Sequence, residues 1–262
     1  MFADTFNALK VKKGTVAVAW AGQAGFIFKT AGGKVIAIDP YLSDYVYECF
    51  KEQEGLGYKR LSPPLFDVGD IGIDVLLSSH EHGDHLDMIS IPKIMADKKT
   101  VCYANGPSMA IAKEAGLDMS RFTLTHIGDE FDMGEFALRI LDCDHGELCP
   151  EATGLMLDFG FGKIYYSGDT CYNKEALKAA IAEQPEVALL PINGAYGNLD
   201  SKDASLLAAD LGAKYCIPHH FWTFANHFGN PREAIDEFPK NAPGCVLQMM
   251  TPGEIFVYPP EA

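Results

Sequence analysis

Asp74-Val75-Leu76-Leu77-Ser78-Ser79-His80-Glu81-His82-Gly83-Asp84-His85 is the stretch on which the reading of this chain turns. Its first half is an apolar run of strand length. Its second half packs four metal-binding side chains into six residues. A buried strand that opens into such a cluster places it on a loop at the strand's C-terminal end, where α/β proteins carry their chemistry. His80 and His82 are two apart, so in a tight loop both imidazoles can reach one ion. Asp84 and His85 can then turn towards a second ion, with Gly83 expected to supply the backbone reversal between the pairs. A lone histidine would pass for an ordinary polar loop residue. Three of the chain's eight histidines in one six-residue window do not.

Outward from this window, composition narrows the classes. With 262 residues the chain is long enough for a substantial core. Acidic residues number 36 against 21 basic, a net charge of −15, which opposes binding to a phosphate backbone, so no nucleic-acid partner is expected. The seven cysteines are odd in number, scattered and without a Cys-x-x-Cys pair. They read as reduced thiols of a cytoplasmic protein rather than a disulfide framework or zinc finger. The start, Met1-Phe2-Ala3-Asp4-Thr5-Phe6, lacks the basic and long apolar regions of a signal peptide, and no apolar stretch approaches the ~20 residues of a membrane span. A soluble cytoplasmic protein is the expectation, with homo-oligomerisation left open.

The chain opens with strand-like segments at 15–20, 26–30 and 35–38, the last two joined by the turn Ala31-Gly32-Gly33-Lys34. From Tyr41 to Ile73 periodicity is lost, and 41–73 is expected to be a structureless lid or substrate loop. Helices are expected at 90–98, 107–115, 174–183, 202–211 and 231–238. Further strands are expected at 101–104, 121–125, 135–141, 154–159, 163–166, 187–191, 215–217, 246–249 and 254–258. The order alone says mixed α/β, and one domain spanning 1–262 is the simpler reading, because the candidate ligands run from Asp39 to His220.

His-x-His-x-Asp-His after an apolar strand resembles the signature of the metallo-β-lactamase superfamily, and other motifs follow in that family's order. Val35-Ile36-Ala37-Ile38-Asp39-Pro40 is similar to its early strand ending in an acid, and Cys143-Asp144-His145-Gly146 to its third-histidine motif. Tyr166-Ser167-Gly168-Asp169-Thr170 resembles the bridging-aspartate motif, and Ile217-Pro218-His219-His220 the last histidine. Within the superfamily the chain resembles the L-ascorbate-6-phosphate lactonase branch. The stretches that carry this are Trp20 to Gly25, Ser62 to Asp70, Ser167 to Tyr172, Ile217 to Trp222 and Asn230-Pro231-Arg232-Glu233.

The resemblance implies a four-layer αββα sandwich, which the element order fits. It also implies that His80, His82 and His145 hold one divalent ion and Asp84, His85 and His220 a second, with Asp169 bridging. Asp39 would steady a ligand. Of the adjacent His219 and His220, side chains of an extended segment point to opposite sides, so only His220 should ligate and His219 would support or pack. His126 and His227 read as turn residues outside the set.

A ligand set of imidazoles and carboxylates without thiolate suits Zn, Mn or Fe. Two such ions imply a hydrolase that uses a metal-bound hydroxide, with Asp84 orienting the water and passing its proton on. Diiron redox members of the family carry glutamate where His82 stands, and Glu81 falls on an intervening position, which favours hydrolysis. The lactonase branch implies a small-molecule substrate: a lactone or ester of a phosphorylated sugar acid. Lys59, Arg60, Lys174 and Arg232 are then candidates for its phosphate, and Trp222 with Phe221 and Phe224 for an apolar wall. A phosphodiesterase acting on a small or lipid-like substrate, as in a neighbouring group of metal-dependent hydrolases, is the alternative enzyme. A catalytically silent metal-binding sensor or scaffold is the alternative of another class.

Overall fold

A computed structural model describes residues 1–260. The strands in chain order are β1 (Val16–Gly22), β2 (Gly25–Lys29), β3 (Val35–Ile38), β4 (Val75–Ser78), β5 (Val101–Ala104), β6 (Phe122–Leu124), β7 (Glu130–Asp132), β8 (Ala137–Asp142), β9 (Thr153–Asp158), β10 (Lys163–Tyr166), β11 (Val187–Pro191), β12 (Tyr215–His219), β13 (Val246–Leu247) and β14 (Ile255–Tyr258). The helices are α1 (Phe2–Ala8), α2 (Tyr45–Glu54), α3 (Ile91–Ile94), α4 (Gly106–Glu114), α5 (Lys178–Glu183), α6 (Ser201–Asp210) and α7 (Pro231–Asn241). Two compact units result. One is built from Met1–Thr125, Thr223–Asn226 and the chain from Thr251 onward, the other from His126–Trp222 and His227–Met250.

The first unit holds a seven-stranded sheet in the order β14-β1-β2-β3-β4-β5-β6. Its β14-to-β3 half is antiparallel and grows by hairpins, while β3, β4, β5 and β6 run parallel. The parallel half needs crossovers, which α3 and α4 supply after β4 and β5. Every residue of β1, β3 and β4 is buried, as strands covered on both faces require. Ile27, Ala37 and Leu76 of this sheet join Phe6 of α1, Ile91 of α3 and Ala112 of α4 in one core. Each fully buried Ile, Leu or Phe contributes about 1.5–3 kcal/mol relative to an exposed one.

The second unit has the same make. Its order is β13-β12-β11-β10-β9-β8-β7, antiparallel from β7 to β10 and parallel from β10 to β13. Helices α5, α6 and α7 are the crossovers between its parallel strands. Both sheets are therefore mixed, and the C-terminal ends of β3, β4, β10 and β12 lead into aspartate and histidine motifs, while the His145 motif follows the antiparallel β8.

Three expectations need correcting. The stretch 41–73 is not structureless, because residues 45–54 form α2. It is also pinned within its own unit, where Leu61 N–H donates to Thr223 O and Asn226 N–H to Gly57 O. The helix at 90–98 shortens to α3, whose four residues begin with Pro92 in the first turn. The helix at 174–183 begins only at Lys178, since the Asn173 side chain accepts from the backbone of Glu175 and Ala176 and holds a turn there.

Candidate metal centre

Asp39 and His85 anchor the first unit's share of the candidate ligands. Strands β3 and β4 are parallel neighbours, with Ile38 opposite Leu77, so Asp39 leaves β3 beside the point where β4 opens into its histidine loop. Asp39 has φ +44 and is buried. Its Oδ1 accepts the Ser79 N–H at 2.8 Å, and its Oδ2 accepts the Ser79 hydroxyl and His85 Nδ1, the latter at 2.7 Å. A proton held on Nδ1 by a carboxylate leaves Nε2 as the basic nitrogen of that imidazole.

The loop itself folds back on His82 O, which accepts the N–H groups of His85 (2.9 Å) and Leu86 (2.7 Å). His80 Nε2 thereby lies 3.1 Å from His82 Nδ1, and Asp84 Oδ2 lies 3.9 Å from His85 Nε2. The expected reason for Gly83 needs correcting: its φ is not positive. What demands glycine is space, because a Cβ there would sit 3.2 Å from the Tyr45 ring of α2. Glu81 turns aside and accepts from Asn105, the cap of α4.

His145, Asp169 and His220 gather in the second unit. The Cys143 thiol donates to Asp169 O at 2.9 Å, Asp144 N–H donates to the Thr170 hydroxyl, and Cys171 N–H donates to Asp144 O. Burial, with the nearby Asp169 carboxylate adding to it, pushes the Cys143 thiol well above its usual pKa, so it stays protonated and keeps this donor role. These stitches bring His145 Nε2 to 3.9 Å from Asp169 Oδ2, and His220 Nε2 lies 3.3 Å from the same oxygen. His219 and His220 do diverge, but for a different reason from strand alternation. Strand β12 ends at His219, whose ring stacks on Tyr166 at 5.2 Å, and His220 turns away with φ +61.

Side chains expected at substrate are mostly committed elsewhere. Arg60 donates from Nη1 to Tyr41 O at 2.8 Å and from Nε to Ser62 O. Its guanidinium lies 5.0 Å above the Tyr41 ring, and burial lowers its pKa. Lys59 pairs with Asp44. Lys174 and Arg232 sit in exposed ion pairs with Asp210 and Asp236. Phe221 is buried and Trp222 half exposed in the second unit, whereas Phe224 packs on Tyr41 and Tyr58 in the first.

Two further residues lie near the candidate ligands. His227, excluded as a turn residue, lies with its ring 6.2 Å from that of His220 and 4.7 Å from Tyr196. Gln23 donates from Nε2 to Asp84 Oδ2 at 2.8 Å. Nothing in Gly22-Gln23-Ala24-Gly25 beyond a turn signal points to that contact.

The donors suit a divalent ion. In the first unit alone, ligand atoms of Asp39, His80 and His85 lie within 4.8 Å of one another in a buried setting. Buried carboxylates and imidazoles that face each other this closely, without thiolate, are the surroundings in which hard-to-borderline divalent cations are held.

The chain is similar to known proteins over nearly its whole length. A model of the beta-lactamase superfamily domain matches residues 17–220. A UPF0173 metal-dependent hydrolase of Herpetosiphon aurantiacus is 24% identical over 262 residues, covering 92% of this chain and 98% of its own. Among solved structures, Igni18, a metallo hydrolase from Ignicoccus hospitalis, aligns with TM-score 0.70 at 22% identity over 94% of this chain and 100% of its own. The metallo-β-lactamase fold protein YhfI of Bacillus subtilis aligns with TM-score 0.68 at 15% identity, over 93% and 99%.

Proposed function

The chain belongs to the metallo-β-lactamase superfamily and has its α/β fold, and on that premise we propose that it is a metal-dependent hydrolase. By the family resemblance, His80, His82 and His145 would hold one divalent ion and Asp84, His85 and His220 a second, and Asp169 would complete the ligand set. The candidate ligands run along the chain from Asp39 to His220, so one domain over 1–262 is kept as the reading. The observation that carries the proposal is the buried Asp39–His85 pair, since a carboxylate on Nδ1 is what orients an imidazole to ligate through Nε2. Nitrogen and carboxylate donors fit Zn, Mn or Fe.

A divalent ion bound there supplies a Lewis acid, which polarises the substrate and makes a water nucleophilic at neutral pH. The protein's own residues do the rest. Asp84 takes the proton of the attacking water and delivers it to the oxygen that leaves as the substrate's C–O bond breaks. Asp39 keeps His85 in one tautomer, and Asp169 Oδ2 faces both His145 and His220.

For the substrate we favour a lactone or ester of a small phosphorylated sugar acid, on the resemblance carried by the stretches from Trp20 to Gly25 and from Ile217 to Trp222. Arg60 is the half-buried cation among the candidates, held on the Tyr41 and Ser62 carbonyls, whereas the exposed pairs of Lys174 and Arg232 are typical of solvated charges. A second reading, a phosphodiesterase acting on a small or lipid-like substrate, draws on the exposed Trp222 and Phe228 rings, 6.1 Å apart, which offer apolar surface. Cytoplasmic location accords with seven cysteines that all stand as thiols. No helix among the described residues is long and apolar enough to cross a membrane.

Metal-free protein reconstituted with manganese or zinc tests the reading, with L-ascorbate 6-phosphate, a simple carboxylic ester and a phosphodiester as substrates and Asp84→Ala as control. Turnover of the lactone that disappears in the variant supports the first reading. Turnover of the phosphodiester alone moves the assignment to the second, no turnover of the lactone sinks the branch reading, and turnover that persists without metal refutes the metal-dependent hydrolase.

A further inference from the structure

We propose that Gln23 is a positioning residue that sets the orientation of the Asp84 carboxylate, an inference that rests on the reading of Asp84 as a metal ligand. Gln23 sits in the hairpin between β1 and β2, where the register shifts between Trp20 and Gly22. It is buried and has φ +50, a left-handed conformation that costs a non-glycine residue free energy. Such strain persists where the surroundings over-determine it.

Here they do. The Gln23 N–H donates to the Thr223 hydroxyl at 3.0 Å, and its carbonyl accepts the Trp20 indole N–H at 2.9 Å. Both backbone groups are clamped by side chains, and the clamped residue aims its amide at Asp84 Oδ2.

The chemistry of that contact is specific. An amide N–H is a neutral donor, so it stabilises the ionised carboxylate without competing for the ion as an acid would and without neutralising the acid's charge as a lysine would. A carboxylate on a short side chain otherwise swings about its last torsion. With one oxygen held by Gln23, the plane of the carboxyl group is set before metal arrives. The hairpin thus reaches across the sheet to fix a ligand on the loop after β4, and the local strain at Gln23 is explained by that task rather than by the turn alone.

Titration of metal-free protein with Co(II), read by absorption and by competition with a chromophoric chelator, tests this. Gln23→Met keeps the length and removes the donor. It is expected to lose about 10–100-fold in affinity for one equivalent of metal and to shift the Co(II) absorption band. Gln23→Gly relieves the left-handed backbone and also removes the donor, so it should fold as judged by circular dichroism and still show the same loss. The double variant Gln23→Met/Asp84→Ala should bind no more weakly than Asp84→Ala alone, because Gln23 acts through Asp84.

Native affinity and absorption in Gln23→Met, alongside a clear loss in Asp84→Ala, would overturn the proposal and leave Asp84 as a ligand. Additive losses in the double variant would also overturn it, by making Gln23 a general support. Two full equivalents bound by Asp84→Ala would refute the ligand reading itself and remove the premise on which the role of Gln23 stands.

Discussion

Replacing Asp39 by asparagine should take away much of the chain's metal affinity while leaving most of its fold. Asparagine is nearly the same size and tolerates the left-handed φ +44 better than most residues, so the backbone is not the target. Its amide oxygen can keep the Ser79 N–H bond now made at 2.8 Å. The new NH2 group, however, faces His85 Nδ1, which at present donates to Asp39 Oδ2 across 2.7 Å. Two donors cannot share that contact, so the imidazole moves its proton to Nε2, the atom assigned to metal. Loss of such an orienting partner costs about 10–100-fold in metal affinity, which converts to about 1.4–2.8 kcal/mol. The metal-free fold should lose less, about 1–2 kcal/mol, since a charge-assisted bond becomes a neutral one rather than vanishing.

Asp39→Ala is the contrast. It strips the Ser79 N–H and His85 of their buried acceptor together and should destabilise the metal-free protein by about 3–5 kcal/mol. Urea unfolding of metal-free protein and chelator competition for zinc measure the two quantities separately. Wild-type zinc affinity in a natively folded Asp39→Asn protein would refute the argument that Asp39 sets the tautomer of His85.

Three further outcomes are expected. Glu183 receives Lys163 at 2.7 Å and Arg139 at 2.8 Å, and the Lys163 hydrogen bond chiefly holds its pKa below the usual glutamate range. A depressed folded-state pKa contributes stability above that range and loses it as the pH falls through it. Glu183→Gln should therefore destabilise at pH 7 by under ~1 kcal/mol, given the group's exposure, and the difference should fade in acid; an equal gap at all pH values in urea melts would exclude this. Gly229 has φ +75, and a Cβ there would lie 2.6 Å from the Phe221 Cβ, so Gly229→Ala should cost about 2 kcal/mol or more in thermal unfolding. Added zinc or manganese should raise the Tm of metal-free protein, by about 2.7 kcal/mol of stability at a free-metal concentration 100 times the Kd, and an unchanged Tm would contradict binding to the native state.

Several strands were legible because they are short apolar runs. Val35–Ile38, Val101–Ala104, Lys163–Tyr166 and Val187–Pro191 stand where their patterns place them. What escaped was whatever lacked an apolar stripe. Only Val46 of the ten-residue α2 is buried, so the helix has no 3.6-residue signal and reads as loop. Strand β7 is a three-residue sheet edge with both ends exposed. At the site, the candidate ligands come from the family resemblance of their motifs, but the contacts that steady them do not. Gln23 and Asp84 are 61 residues apart, and Ser79 serves Asp39 through a hydroxyl that no pattern distinguishes from its neighbours. Such contacts depend on which strands become neighbours, and that is decided by topology rather than by local sequence.

Strand β14 carries a consequence for how the chain is made. It pairs with β1 from Val16↔Tyr258 to Ala19↔Ile255, so one edge of the first sheet is closed by a strand that follows all the others in the chain. On the ribosome β1 emerges ahead of the other strands and waits for its outer partner until β2 to β13 have followed, whereas β7 to β13 come one after another. The unit that starts first is thus finished last, and during synthesis the open flank of β1, four residues of apolar ladder, is the surface that a chaperone or a second nascent chain would meet.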